Sequence, residues 1–226
     1  MHLILASTSP ARLALLRAAG IEPALVSPGV DEDAVTAEAN ARAGAPLGAH
    51  DVVELLARAK AEAAAALHVA ATDAGTADTG ASVTSLILGG DSVFVLDGVI
   101  YGKPHTAQKA RERWQLQRGR TGMLYSGHWL IELVDGVPGR AVGAVAVSEV
   151  SFADDITDAE LDAYIGTGEP LFVAGAFTID SLGAPFITRI VGDPSAVVGL
   201  SLPTLRRLVA GLGHHWPDLW NRRGVL

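Results

Sequence analysis

Six consecutive residues near the amino terminus, Ser7-Thr8-Ser9-Pro10-Ala11-Arg12, gather three hydroxyls and a guanidinium around a proline. They follow a short apolar run, the place of a strand-to-helix turn, where free backbone N–H groups and the helix dipole attract anions. Hydroxyls and a guanidinium are donors that suit phosphate oxygens. The same residues also make a plain capped helix with a surface arginine. Asp91 closes a second apolar run directly after Gly89-Gly90. Two glycines let a backbone or ligand approach, and a carboxylate there can bind metal or accept a proton. Lys103 returns beyond the Asp97-Gly98 turn signal, at a spacing expected to bring its ammonium near Asp91 as a catalytic partner or a structural ion pair. Asp31-Glu32-Asp33 offers carboxylates that could hold Mg²⁺ while a substrate's phosphates supply other ligands, or else a solvated acidic turn. Lys60, on a helical stretch, is expected to face solvent. Cations for a polyphosphate, carboxylates for a divalent metal and a buried aspartate to activate water suit phosphoanhydride hydrolysis, and suit nucleotide sensing nearly as well.

Other chemistries lack their signatures. There is no Gly-x-x-x-x-Gly-Lys-[Ser/Thr] loop, no Gly-x-Gly-x-x-Gly, no His-Glu-x-x-His and no Gly-x-Ser-x-Gly. His214-His215 are neighbours whose side chains point apart, so they read as a solvated pair and not as a shared metal site.

The elements that must position these residues follow from local signals. Leu3 to Ala6 reads as a buried strand, with Ser9 capping a helix, Pro10 at its first position and Gly20 ending it. Val52 to Leu67 is alanine-rich and helical. Residues 70–85 read as a flexible surface insertion, and 37–49 as a weaker one. Leu86 to Leu88 is a strand ending at Asp91, and Val93 to Leu96 and Val99 to Tyr101 form a hairpin on Asp97-Gly98. Thr106 caps a polar helix that Gly119 stops. Met123 to Leu133 and Ala141 to Phe152 make an antiparallel pair. Thr157-Asp158-Ala159-Glu160 is a capping box. Leu171 to Ile179 and Pro185 to Val191 read as strands, and a last helix runs from Pro203 to Gly211. The mixture of crossover helices and hairpins points to a mixed α/β (α+β) protein with a mixed sheet.

Composition narrows the partners. The 226 residues carry 25 acidic and 17 basic side chains, a net charge of −8, and no cysteine. Disulfides, thiolate metal sites and cysteine nucleophiles are excluded, and the acidic balance argues against general nucleic-acid binding. A polyphosphate must therefore be held by a local cluster of cations. Apolar runs are too short for a membrane span, and the first residues lack a signal-peptide pattern, so a soluble cytoplasmic protein is expected.

Four segments, in order, resemble the motifs of one family. Leu3-Ile4-Leu5-Ala6-Ser7-Thr8-Ser9-Pro10-Ala11-Arg12 with Gly29-Val30-Asp31-Glu32 is similar to the amino-terminal signature of the Maf family, and Gly89-Gly90-Asp91-Ser92 with Gly102-Lys103-Pro104 resembles its central motif. Ala174-Gly175-Ala176-Phe177-Thr178-Ile179-Asp180 and Ser195-Ala196-Val197-Val198-Gly199-Leu200 resemble its later ones. The resemblance covers residues 3 to about 210. It implies nucleoside triphosphate pyrophosphatases that release a monophosphate and pyrophosphate, and alternatively a non-hydrolytic nucleotide-binding regulator of septum formation. It also implies a divalent cation (Mg²⁺ or Mn²⁺), a homodimer, and one domain of two lobes around a cleft, similar to the inosine triphosphatase fold. By position, Asp91 is the expected general base and Lys103 its phosphate-facing partner; Glu32 holds the metal. Ser7, Ser9, Arg12 and Lys60 contact the substrate, with Ser92 and Asp180 towards the base. One branch with Arg, Thr and Gln at the positions of Ala11, Ser92 and Asp180 favours dTTP and UTP, and another with Trp, Gln and Glu favours 7-methyl-GTP. Ala, Ser and Asp match neither, so a broader or shifted base preference is expected.

Overall fold

Leu3-Ile4-Leu5-Ala6 has no polar side chain to turn towards water, and the chain places it inside a sheet. The computed structural model describes residues 1–73 and 84–222, and in it β1 (His2–Ala6) lies between β2 (Ala24–Val26) and β3 (Thr84–Leu96), parallel to both. β4 (Val99–Tyr101) folds back on β3 through the Asp97-Gly98 turn, whose two residues both have positive φ, as a two-residue hairpin of this twist requires. β5 (Thr121–Val134) and β6 (Val137–Phe152) are hydrogen-bonded neighbours joined by Asp135-Gly136, a link short enough only for antiparallel strands. β7 (Ile187–Val191) runs antiparallel to β6. The order β2-β1-β3-β5-β6-β7, with β4 paired to β3, is the mixed sheet that the sequence predicts.

Helix starts fall where their caps put them. Ser9 caps α1 (Pro10–Ala18) and Asp31 caps α2 (Glu32–Ala43). α3 (Ala49–Asp73) is the longest helix; Thr106 caps α4 (Ala107–Gln117), and Thr157 with Glu160 closes a capping box on α5 (Asp158–Gly166). α6 (Pro194–Val198) and α7 (Leu202–Gly211) follow. Among the described residues no helix is long and apolar enough to cross a membrane.

The chain divides into two compact units: residues 1–91, 127–145 and 202 onward, and residues 92–126 and 146–201. In the first, α3 lies on the sheet through Ala61, Ala64 and Ala65, packed against Ile4, Ile87, Ile131 and Leu133. Two glycines permit this approach. A Cβ on Gly89 would stand 2.0 Å from the Ala57 carbonyl oxygen, and one on Gly127 2.2 Å from that of Val53. The core of the second unit is aromatic: Phe94, Trp114, Phe152, Tyr164, Phe177 and Phe186, with edge-to-face centroids mostly 5.0–5.8 Å apart.

Three expectations are corrected. Residues 37–49 are not a loop; most are α2 and the start of α3, a helix pair signalled by caps and not by apolar periodicity. α2 buries none of its side chains, holds a Glu38–Arg42 pair across one turn and stops at left-handed Gly44. Leu171 to Ile179 is not a strand. Glu169–Phe172 and Ala174–Ala176 are 3₁₀ turns, with Gly175 and Ala176 both at positive φ; the bend packs Phe177 on Phe94 and leaves Phe172 exposed. The insertion of 70–85 shrinks as well: α3 continues to Asp73 and β3 begins at Thr84, while 74–83 lie outside the described residues.

Candidate active site

Gly89-Gly90 does not end a strand. β3 runs straight through them, so Asp91 sits mid-strand, corrected from the strand end that the glycines suggest. Gly89 serves the packing of α3 instead, and that packing decides Asp91's partner. Lys60 follows Ala57 by three residues and precedes Ala64 by four, so it rides the helix stripe that is pressed on the sheet. It is 8% exposed, not solvent-facing, and its Nζ lies 2.7 Å from Asp91 Oδ1 and 2.8 Å from Glu32 Oε1. Within its own unit the partner of Asp91 is therefore Lys60. Lys103 belongs to the second unit, is exposed and has no ion-pair partner among the described residues.

Around this ammonium the first unit collects the predicted amino-terminal residues. Asp31 accepts the Ala34 N–H at 2.9 Å, which starts α2 and sets Glu32 in its first turn, facing Lys60. Ser9 Oγ accepts from the Arg12 N–H, while Ser7 Oγ accepts from the Ser9 N–H at 3.2 Å and from Arg12 Nη1 at 3.1 Å. Arg12 is buried with its guanidinium over Gly90, where a Cβ would lie 3.2 Å from Nε. Any side chain at 90 would press on that guanidinium.

The electrostatics follow from this geometry. Burial pushes the Asp91 carboxyl above its ordinary range, although Lys60 and Arg12 pull it down; Glu32 adds to the rise. Burial also lowers the Arg12 guanidinium, against the opposing charges of Asp91 and Glu32. Two cations face two carboxylates, so the cluster is formally neutral before any ligand arrives. An incoming polyphosphate would leave it short of positive charge. Glu32 and Asp91 converge on Lys60 Nζ, and both offer the hard oxygens that Mg²⁺ takes. Among the described residues no group of three or more His, Asp or Glu could hold a metal by itself. Two carboxylates with phosphate oxygens completing the shell fit that inventory.

The second unit holds the other predicted residues. The backbone beside Lys103 is anchored on both sides: the Gly102 carbonyl accepts from Arg113 Nη1 and the Gly175 N–H, and the His105 N–H donates to Leu171 O. Ser126 Oγ gives its one proton to Ala196 O at 2.7 Å, so Ser92 Oγ, 2.8 Å away, must be the donor to Ser126. That leaves Ser92 as an acceptor towards anything else. Asp180 is exposed on the loop after Phe177. The paired histidines are split: His214 Nε2 lies 2.7 Å from Glu132 Oε1, and only His215 is exposed. Sequence reading missed two carboxylates, Glu132 and Glu169. The only local signal for the second is its place after Gly168 and before Pro170.

A sequence profile described as "Maf-like protein" matches residues 2–212. The chain belongs to that family. Similar chains include a protein of Leifsonia xyli subsp. xyli, 61% identical over 225 residues, which spans 100% of this chain and 99% of the relative. A Salinispora tropica protein is 47% identical over 222 residues, 98% and 88% of the two chains, and one of Cutibacterium acnes is 44% identical over 219, 96% and 94%. Each of the three is named "Nucleoside triphosphate pyrophosphatase".

Proposed function

We propose that this chain is a nucleoside triphosphate pyrophosphatase, hydrolysing the α–β phosphoanhydride to a monophosphate and pyrophosphate. The observation that carries the reading is Asp91: a buried carboxylate lifted above its ordinary acidity range, beside two buried cations. Oδ1 is taken by Lys60, so a proton from the attacking water is received at Oδ2. A base with a raised pKa holds that proton better than an ordinary surface aspartate. Arg12 and Lys60 face the phosphate oxygens and offset the charge that grows as the bond breaks; Ser7 and Ser9 orient the anion at the start of α1. Glu32 would hold a divalent cation, Mg²⁺ or Mn²⁺, with phosphate oxygens completing its shell. When bound, that cation would supply positive charge that offsets the charge of the phosphates.

Lys103 and Asp180 keep the roles that the resemblance implies, phosphate partner and base contact. An ionised Asp180 accepts but cannot donate, and Ser92 has its proton committed to Ser126. Both features favour base edges rich in N–H donors over thymine and uracil, whose one N3–H lies between two carbonyl acceptors. The test is to incubate the protein with a mixed triphosphate pool and Mg²⁺ or Mn²⁺ and identify the first product by ³¹P NMR. Pyrophosphate with a nucleoside monophosphate is expected. Orthophosphate as first product would make it a phosphatase, and binding with no release would make it a nucleotide-binding regulator. EDTA is expected to abolish release.

A further inference from the structure

Glu169 leads the 3₁₀ turn after left-handed Gly168, and its carboxylate accepts five hydrogen bonds. Oε1 accepts from the Tyr164 hydroxyl at 3.1 Å, from Thr178 Oγ1 and from the Gly183 N–H at 3.2 Å; Oε2 accepts from Ser181 Oγ at 2.7 Å and from the Leu182 N–H at 3.3 Å. Burial works against the charge, but these donors outweigh it and hold the Glu169 carboxyl below its ordinary range. A carboxylate so fully engaged has little left for a ligand; its effect is on the chain that surrounds it. Four of the five donors come from residues 178–183. A second bond from the Gly183 N–H to Thr178 Oγ1, at 3.2 Å, closes the loop on itself. Gly183 is needed there, since a Cβ would stand 2.6 Å from the Tyr164 hydroxyl and 2.7 Å from the Thr178 carbonyl oxygen.

Inside this loop Asp180 is different. Thr178, Ser181, Leu182 and Gly183 are all tied to Glu169, while the Asp180 side chain is exposed and has no hydrogen-bond or ion-pair partner among the described residues. Anchors on both sides fix the backbone, and one carboxylate is displayed. Such an arrangement lowers the ordering cost when a ligand engages that carboxylate.

We infer that Glu169 is a positioning residue that fixes the 178–183 loop so that Asp180 reads the nucleobase, which makes Glu169 a determinant of base preference. The inference rests on Asp180 being the base contact. The test compares Glu169→Ala, Ser181→Ala and Asp180→Ala with the parent protein across a panel of nucleoside triphosphates, measuring KM and the spread of kcat/KM. Inorganic tripolyphosphate, which has no base, is titrated as a competitive inhibitor of each. Glu169→Ala is expected to raise KM for the preferred triphosphate about tenfold and to compress the spread. Ser181→Ala, which removes one exposed donor and leaves the fold intact, shifts both in the same direction by about two- to threefold. The tripolyphosphate inhibition constant stays where it is. A parent-like spread in both Glu169→Ala and Ser181→Ala, with Asp180→Ala flattened, overturns the role of Glu169. An inhibition constant that rises in step with KM overturns it too, because the loss is then general. If Asp180→Ala keeps the parent's preference, the base-contact reading itself fails and takes the inference with it.

Discussion

Asp91 and Glu132 belong to the same unit and are equally hidden, with side chains 10% and 9% exposed, yet their acidities move in opposite directions. What covers each one explains why. Glu132 lies under its own partners: Arg140 donates to both oxygens at 3.0 and 3.2 Å, and His214 meets Oε1 at 2.7 Å. Arg140 is itself 61% exposed and also donates to the Leu212 carbonyl, so the ion pair reaches water and ties the end of α7 to the sheet. The fork from Arg140 dominates, and it keeps the Glu132 carboxyl below the ordinary range. Asp91 is covered by helix, strand and a buried guanidinium, and its one ammonium is shared with Glu32. Solvation is lost and only part of it is replaced. A carboxylate saturated by donors is a fastener; one that is dried out and underpaired is a base.

The contrast breaks most visibly in turnover. Asp91→Asn is expected to lower kcat by about 10²–10⁴ with near-ultraviolet circular dichroism unchanged, since it removes the proton acceptor and keeps the shape. Glu132→Gln, assayed beside it, keeps its turnover; a loss in Glu132→Gln as deep as in Asp91→Asn would erase the distinction. Lys60→Met comes next. It removes a cation facing the phosphates and leaves Glu32 opposite Asp91 with no charge between them, so kcat/KM falls by about 10²–10³. Its companion effect is an acidic limb of the kcat–pH profile displaced to higher pH, because a lowering influence on Asp91 is gone. A profile that does not move would show that Lys60 does not govern Asp91.

Smaller effects concern stability. Glu132→Gln takes the ionic partner from Arg140 and His214 and is expected to cost about 1–3 kcal/mol, towards the lower end because Arg140 is largely exposed. For a chain of this size that is a melting temperature lower by about 2–12 °C. The pH dependence has a definite sign. Glu132's folded carboxyl is more acidic than its unfolded one, so its contribution is present above the unfolded value of about 4.3 and is lost as pH falls through the depressed folded value. The melting gap between parent and Glu132→Gln therefore closes on acidification. A gap that widens in acid would contradict the ion-pair account.

How much of this was readable in the sequence depends on the range of the physics involved. Ser9, Thr106 and the Thr157–Glu160 box act on the next three residues, and each starts its helix as expected. The Asp97-Gly98 turn is equally local. The residue types of the charged cluster were legible too: Arg12, Glu32 and Asp91 all stand out. The partner of Asp91 was not. It depends on Gly89 and Gly127 letting α3 settle against the sheet, which hands Asp91 to Lys60 before a hairpin lysine enters the account. Glycines read as breaks in one dimension are clearances in three. Leu171 to Ile179 failed for a related reason, since Ala176 and Phe177 are buried by a bend across an aromatic core that is assembled from distant segments.

Direct titration tests the central claim without passing through kinetics. Carboxyl ¹³C shifts of labelled Asp and Glu, followed by NMR from acid to neutral pH and assigned through Asp91→Asn and Glu132→Gln, give both midpoints in one protein. Asp91 is expected to titrate above the ordinary aspartate value of about 3.9 and Glu132 below the glutamate value of about 4.3. Midpoints in the reverse order, or an Asp91 at or below its ordinary value, would contradict the account of Asp91 as the underpaired base of the site.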